Sequence, residues 1–556
     1  MGKGKSSGAK AVVSALQRQQ VEVVFGYPGG ATLPIYDSLS ASTIRHIMPR
    51  HEQAGAHMAD GYARSTGKTG VCMATSGPGA TNLVTGVATA YMDSSPVIAI
   101  TGQVPTTMIG NDAFQEVDIT GITIPITKHN YLVKEAHTIP LIFDEAFYLA
   151  SSGRKGPVLI DIPKDIQNQT FAEEQVKRGN LEGYKPTEKG HAGQIKRAAE
   201  MLKKAERPVI IAGGGIFHAD AHGELGALVE KTGIPLTWTL MGKSVFPGSH
   251  KHNFGMLGYH GRVAANTAVQ EADVILAMGT RLGDRSTGPL STFAPKAQII
   301  HIDIDPAEIS KNIPARLPIV GNIKLILPEL TERLAPEQCG EWCSYLQTVA
   351  EKHPLRAAEA GVTVPNILQK VGKIVPDPII VTDVGRHQIF AAHYMNTESP
   401  RSFITSGGLG TMGFGFPAAL GVRAGNPDRP VVCVSGDGSF LMNCQEIVTS
   451  VEEKLPVIVL IMNDYCLGMI RQLQNSFYGK RYESCHLGRS ADFAALAEGL
   501  GAQGIRVEKE SEITPAIEKA AESGMTTIID CIIEKPANVY PMVTGNSLLD
   551  FVEEEE

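Results

Sequence analysis

Short runs of consecutive apolar residues recur along the chain, separated by longer stretches with an apolar position every three or four residues. The first kind reads as buried strand and the second as amphipathic helix. The runs fall into three successive groups. The first is 22–26, 70–75, 96–101 and 157–162; the second is 208–212, 274–278 and 299–303; the third is 378–382, 429–435, 456–462 and 527–533. Strands alternating with helices in this way predict an α/β protein of three doubly wound parallel-sheet domains, each sheet covered by helices on both faces. Two joins, about 169–191 and about 328–360, are polar and strandless and read as linkers. The expected units are 1–175, 190–335 and 360–545. An acidic tail, 546–556, follows, with Glu553 to Glu556 expected to be solvated and disordered. The first and third groups are similar in kind without forming a readable repeat.

A chain of 556 residues is too long for one ordinary core, which agrees with several domains. A net charge of −8 with no basic block speaks against nucleic acid or anionic membrane as partners. No apolar run reaches the roughly 18–20 residues that span a bilayer, and no signal-peptide core is present, so a cytoplasmic protein is expected. The opening Met1-Gly2-Lys3-Gly4-Lys5-Ser6 fits a loose myristoylation pattern but reads better as a flexible basic start. Of eight cysteines, Cys72, Cys433 and Cys531 lie inside apolar runs and read as core thiols. Cys339 and Cys343 are close in sequence, but no paired Cys or His completes a zinc pattern, and a reducing compartment follows.

Candidate chemistry sits at the strand ends. Gly436-Asp437-Gly438 closes one apolar run and Asn463 closes the next, so both polar groups lie at carboxyl ends of a single βαβ unit, where open α/β sheets bind ligands. An Asp and an Asn side chain with a nearby carbonyl form an oxygen half-shell suited to Mg²⁺. The flanking glycines let a diphosphate approach the backbone. A tight turn beside an unrelated Asn is the alternative. Ala212-Gly-Gly-Gly215 after a strand suits a dinucleotide pyrophosphate, and Asp303 at a later strand end can accept from ribose hydroxyls; a purely structural Rossmann-like domain is the alternative. In the first group, Glu52 opens a predicted helix, and the Ser76-Gly-Pro-Gly-Ala-Thr-Asn82 turn could pass under a ligand.

The Gly-Asp-Gly…Asn pattern resembles the diphosphate-binding signature of thiamine diphosphate (ThDP) enzymes. Phe25-Gly-Tyr-Pro-Gly-Gly-Ala31, Gly102-Gln-Val-Pro105, Asp112-Ala-Phe-Gln-Glu116, Gly255-Met-Leu-Gly-Tyr-His-Gly261, Gly279-Thr-Arg-Leu-Gly-Asp-Arg285, His301-Ile-Asp-Ile-Asp-Pro-Ala-Glu308 and Gly407-Gly-Leu-Gly-Thr-Met-Gly-Phe-Gly-Phe-Pro417 narrow it. From about residue 10 to 545 the chain is similar to the catalytic large subunit of acetohydroxyacid (acetolactate) synthase. That resemblance implies a pyrimidine-binding ThDP domain, a central FAD-binding domain with a non-redox flavin, and a diphosphate/Mg²⁺-binding ThDP domain. It also implies decarboxylation of pyruvate and transfer of the two-carbon unit to a second 2-keto acid, in branched-chain amino acid biosynthesis. A homodimer or tetramer with active sites at the subunit interface is implied, as is a small regulatory subunit in many members.

By the same resemblance Glu52 is the carboxylate against the aminopyrimidine ring, and Asp437, Asn463 and the Tyr465 carbonyl hold Mg²⁺. Met412 props the cofactor in its bent shape, Gln115 and Lys164 lie beside it, and Arg285 receives the second substrate's carboxylate; an ion pair with Asp284 is the alternative for Arg285. Further ThDP positions are Pro28, Gly29, Thr75 and Asn82 in the first unit. In the third they are Val384, Gly385, His387, Gly410, Gly436, Gly438, Ser439, Leu467, Gly468 and Met469. The FAD positions are Arg154, Gly213, Gly214, Gly215, Thr239, Leu240, Met241, Tyr259, His260, Gly279, Arg281 and Asp303.

The chain also departs from the pattern. Leu282-Gly283 replaces the usual Phe-Asp, and Asn322 stands where Asp is common. Arg386 replaces a Gln and puts an extra cation close to the diphosphate. Leu473 stands where the family has a Trp that favours 2-ketobutyrate, and neither of the two tryptophans, Trp238 and Trp342, can fill that place. Rival expectations are an FAD-independent catabolic acetolactate synthase, a pyruvate oxidase, a 2-keto acid decarboxylase, or a catalytically silent homologue.

Overall fold

The apolar runs form inner strands of three six-stranded sheets, every neighbouring pair parallel. The computed structural model describes residues 5–172, 181, 183–337, 339–356, 360–533 and 537–554. The first sheet runs Arg45–Ile47, Val23–Gly26, Gly70–Ala74, Val97–Gln103, Val158–Pro163, His129–Leu132. The third runs Phe403–Thr405, Ile379–Thr382, Val431–Gly436, Ile458–Asn463, Thr527–Ile532, Gln503–Val507. Counted along the chain, both have the order 2-1-3-4-6-5, so the two units share a topology that their residues do not display. The middle sheet runs Asn253–Met256, Leu236–Trp238, Pro208–Ala212, Val274–Met278, Gln298–Asp303, Leu317–Val320, the order 3-2-1-4-5-6 of dinucleotide-binding folds.

Within these three sheets the strands without an apolar run are the six edges and the three-residue Leu236–Trp238. Arg45–Ile47, His129–Leu132 and Gln503–Val507 are only partly covered, so their composition cannot be uniformly apolar. Both expected linkers contain structure. Thr170–Ala172 pairs antiparallel with Lys5–Ser7, which also draws part of the expected flexible start into a ribbon; Met1 to Gly4, the first four residues of the myristoylation pattern, and much of 173–182 fall outside the described residues. The second join carries a helix, Gly340–Lys352, whose Trp342, Cys343 and Leu346 are buried, with the indole donating to the Pro208 carbonyl at 3.1 Å. In the tail Glu553 accepts from His353 Nδ1 at 3.0 Å, and Glu554 accepts from Arg356 at 2.6 Å. Both are therefore paired, while Glu555 and Glu556 lie outside the described residues.

Helix Glu52–Thr66 of the first unit lies directly on helix Gly415–Gly425 of the third. A Cβ on Gly421 would sit 1.9 Å from the Met58 carbonyl oxygen, and one on Gly61 2.2 Å from that of Ala418, so both glycines are required by the approach. Arg64 fastens this contact: its guanidinium grips Asp60 at 2.6 and 2.7 Å, reaches Asp93 at 3.0 Å and lies over the Phe414 ring. Asp93 in turn accepts from the Gly407 and Gly408 amides. A buried cation between two buried carboxylates holds only when hydrogen bonds satisfy all three, as here.

Candidate active site

In an open parallel sheet, loops after neighbouring strands part where the strand order reverses, leaving a crevice at the carboxyl ends. In the third sheet the reversal lies between Ile379–Thr382 and Val431–Gly436, and the loops that open there carry Val384, Gly385, His387, Asp437, Gly438 and Ser439. In the middle sheet it lies between Pro208–Ala212 and Val274–Met278, followed by Gly213–Gly215 and Gly279. In the first it lies between Val23–Gly26 and Gly70–Ala74, followed by Pro28, Gly29 and Thr75. All three sets of sequence-predicted residues occupy switch points.

In the third unit Asp437 opens a one-turn helix, and its carboxylate accepts from the Gly438 amide at 2.9 Å and the Cys466 amide at 3.1 Å. Burial, with the adjacent Asp464 charge, pushes this carboxyl up to about 7, a setting in which a cation beside it lowers the free energy. Asn463 donates to Asp530 at 2.9 Å, which turns its side-chain oxygen toward the Tyr465 amide at 3.2 Å. Tyr465 itself adopts φ +57°, redirecting the chain there. Carboxylate, amide oxygen and backbone carbonyl are hard oxygen donors, and the set fits Mg²⁺. The His387 Nε2 is buried without a hydrogen-bond partner among the described residues, and burial holds the ring neutral. Its ring packs against Gly385 and Gly436, where a Cβ would meet it at 2.7 and 3.0 Å. An unpartnered polar atom at a glycine-lined switch point fits a phosphate-bearing ligand.

The first-unit residues gather at the carboxyl ends of their own sheet. Glu52 is the first residue of its helix, after the cap His51, and its Oε2 accepts from Asn82 at 3.0 Å. Thr75 Oγ1 accepts from Ala31 at 3.3 Å, and a Cβ on Gly29 would strike Thr75 at 2.5 Å. Gln115, at φ +60°, lies against Gly77, whose own φ of +59° places the turn there. Lys164 starts a short helix tied to the same region: Gln167 donates to the Ala31 carbonyl at 2.7 Å, and Asp165 accepts from Thr106. Pro28 precedes Gly29 on the first of these turns.

A cavity of about 930 Å³ runs between the middle and third units. Its wall includes Gly214, Gly215, Thr239, Leu240, Met241, Tyr259, His260, Gly279, Arg281 and Asp303 on one side, with Arg154 from the first unit. Val384, Gly385, His387, Gly410, Met412, Gly436 to Ser439, Leu467 to Met469 and Leu473 form the other, with Arg285 between. Gly213, Asn463 and Tyr465 stand behind this wall, and Glu52, Gln115, Lys164, Pro28, Gly29, Thr75 and Asn82 do not line it. Gly213 and Gly215 are accounted for by packing, since Cβ atoms there would lie 2.2 and 2.5 Å from Gly279. Gly214 is less tightly packed, with Met241 the nearest neighbour of an added Cβ at 3.3 Å, and both Gly214 and Gly215 line the cavity.

The departures acquire specific roles. Arg386 forms a tight buried ion pair with Asp464 and donates to the Ala537 carbonyl at 3.0 Å. Arg386 lines the cavity beside the proposed diphosphate site with its charge paired to Asp464, a partner the sequence hid because it lies at another strand end. Arg285 is 3.7 Å from Asp284 with both side chains mostly exposed, and its guanidinium stacks 5.5 Å from the Tyr259 ring centroid. So loose a pair leaves it available to a carboxylate. Asn322 caps helix Ile323–Arg333 through Lys324 and donates to Glu188 at 2.9 Å. Arg154 pairs with Glu308 at 2.5 Å and Asp305 at 3.3 Å. Burial pushes Asp303 up to about 6.

Sequence reasoning missed Asp383, a buried carboxylate that accepts from the Val384, Gly413 and Gly415 amides and so ties the two glycine loops together. Its place at the end of an apolar run, just before Val384-Gly385, was the available signal.

Residues 6–122 match the N-terminal TPP binding domain of thiamine pyrophosphate enzymes, 195–330 the central domain and 383–531 the C-terminal TPP binding domain. The chain is 47% identical over 562 aligned residues to a probable acetolactate synthase large subunit of Methanocaldococcus jannaschii, covering 98% of this chain and 95% of that one. It is 46% identical to an acetolactate synthase of Mycobacterium bovis, covering 98% and 91%, and 46% identical to an acetolactate synthase large subunit of Corynebacterium glutamicum, covering 98% and 89%. The chain belongs to the acetolactate synthase large-subunit family of thiamine pyrophosphate enzymes.

Proposed function

We propose that the protein decarboxylates pyruvate and joins the two-carbon unit to a second 2-keto acid, forming 2-acetolactate in branched-chain amino acid biosynthesis. The observation that carries this reading is one cavity joining Asp437 and His387 at one switch point to Arg285 and Tyr259 at its other wall. When bound, ThDP supplies the electron sink for the decarboxylated fragment. The chain's part is positional and electrostatic. Asp437, Asn463 and the Tyr465 carbonyl would hold Mg²⁺, which would neutralise diphosphate charge, and Met412 would support the cofactor from the cavity wall. Glu52 would be the carboxylate set against the aminopyrimidine, able to hold or release a proton there. Arg285 offers a guanidinium fork to the carboxylate of the incoming keto acid.

The Glu52 cluster does not line the cavity, which supports the reading that a second copy brings that carboxylate to the cofactor. Exposed Leu33, Phe114 and Ile124 beside the first cluster, and Met442 and Ile470 beside the third-unit site, supply apolar surface for such a dimer or tetramer. A cytoplasmic enzyme with a small regulatory subunit is part of the proposal. No described helix is long and apolar enough to cross a membrane.

Purified protein given pyruvate, ThDP and Mg²⁺, with and without FAD, tests the reading by product identification. Acetolactate is expected; aldehyde as main product would indicate a decarboxylase, and acetyl phosphate or peroxide an oxidase. Gly214, Asp303 and Arg154 on the cavity wall support FAD binding by the middle unit, so the purified enzyme is expected to be yellow and to release flavin on denaturation. Arg154→Ala should weaken that retention; equal flavin content in parent and variant would refute the assignment. Leu473 presents less surface than the family's Trp, and pocket fit of this size is worth roughly 1–3 kcal/mol. In competition between pyruvate and 2-ketobutyrate, a weakened preference for 2-ketobutyrate is expected, and Leu473→Trp should raise it. A strong 2-ketobutyrate preference in the parent would sink this point.

A further inference from the structure

The loop that follows Asn463 carries a second cluster of ligating groups which the proposed reaction does not use. Cys466 sits in an isolated antiparallel bridge with His486, with the Leu467 amide donating to the Cys485 carbonyl at 2.7 Å and the Leu487 amide to that of Tyr465 at 2.9 Å. This short ladder brings the Sγ atoms of Cys466 and Cys485 and a ring nitrogen of His486 within 4.8 Å of one another. Both thiols are free and buried, while His486 is exposed and gives an ion access from solvent. The spacing along the chain is unlike a zinc motif, which is why sequence reading passed it over; the fold supplies the convergence.

We propose that Cys466, Cys485 and His486 form a binding site for a soft divalent cation of the Zn²⁺ class. A tetrahedral ion with sulfur ligands at about 2.3 Å sets its two sulfurs about 3.8 Å apart, so the cluster needs to contract by no more than about 1 Å. Two thiolates and an imidazole select Zn²⁺, Cd²⁺ or Co²⁺ over Mg²⁺, which prefers hard oxygen. The fourth position is left to water. The neighbouring oxygen set of Asp437, Asn463 and Tyr465 has the opposite preference, so the two sites sort hard and soft ions within one loop. The Cys466 amide donates to Asp437 at 3.1 Å, and Leu487 faces Gly438. An ion here therefore pins segment 464–467, part of the diphosphate wall, to segment 483–487. The site is independent of which carboligation the enzyme performs.

The test is Co²⁺ and Cd²⁺ uptake by the full-length protein after chelation and thiol reduction, read by metal analysis and by thiolate-to-metal charge-transfer absorption. One equivalent per chain with that absorption is expected in the presence of excess Mg²⁺, and its loss in Cys485→Ala and in His486→Ala. The second variant alters an exposed side chain and guards against misfolding of the first. Undiminished uptake in both variants, absence of the absorption, or displacement of the ion by Mg²⁺ would overturn the proposal.

Discussion

Glu52→Gln is expected to lower the rate of product formation by roughly 10²–10⁴-fold, the range a positioned acid–base group contributes. The substitution is close to isosteric. Glu52 Oε2 has a single described hydrogen bond, from the Asn82 amide at 3.0 Å, and a Gln oxygen can accept it in the same way. The helix start is fixed separately by the His51 cap, which accepts from the Gln53 amide, and by the glycine-mediated contact with helix Gly415–Gly425. Folding and assembly should therefore be unchanged, and the loss should fall on the chemical step. Deuterium exchange at the reactive carbon of bound ThDP separates this from a binding defect: exchange should slow with the rate while cofactor affinity holds. A variant that makes product as fast as its parent would remove Glu52 from the mechanism.

What was legible in the sequence follows from burial. A strand covered on both faces and both edges must be apolar throughout, so the runs at 208–212 and 274–278 mark their strands to the residue. Edge strands such as His129–Leu132 meet solvent and carry no such constraint. Helix Gly340–Lys352 was readable in principle, since Cys339, Trp342, Cys343 and Leu346 repeat at helical spacing. Its polar average concealed them. Site loops were legible where glycine and carboxylate patterns are local, as at Gly436-Asp437-Gly438. Pairings made by the fold were not: the parallel sheet brings together the Arg386–Asp464 pair and the Asp383 clasp, and an isolated antiparallel bridge brings together Cys466, Cys485 and His486.

The Arg386–Asp464 pair is expected to be the most strongly coupled departure from the family pattern. Both side chains are less than a tenth exposed, and the pair spans the ends of two strands beside the proposed metal loop. Removing one member leaves the other charge buried and uncompensated, which costs about 3–5 kcal/mol. Arg386→Gln should therefore destabilise the third unit toward the low end of that range, since Asp464 keeps the Arg471 charge and a bond from the Cys466 amide, and Asp464→Asn likewise, because Arg386 keeps its bond to the Ala537 carbonyl. The double variant should recover part of the loss, since neither buried charge is then left without its partner and the two amides can hydrogen-bond to each other. The same variants should separate stability from metal binding. Asp464 adjoins Asn463 and its charge helps raise the Asp437 carboxyl, so Asp464→Asn lowers that carboxyl and favours its ionised, metal-holding form at a given pH. Denaturation midpoints and Mg²⁺ titrations on the four proteins of the cycle measure both quantities. Additive single effects, with no recovery in the double variant, would show that Arg386 and Asp464 act independently and that the cation near the diphosphate is not neutralised by this pair.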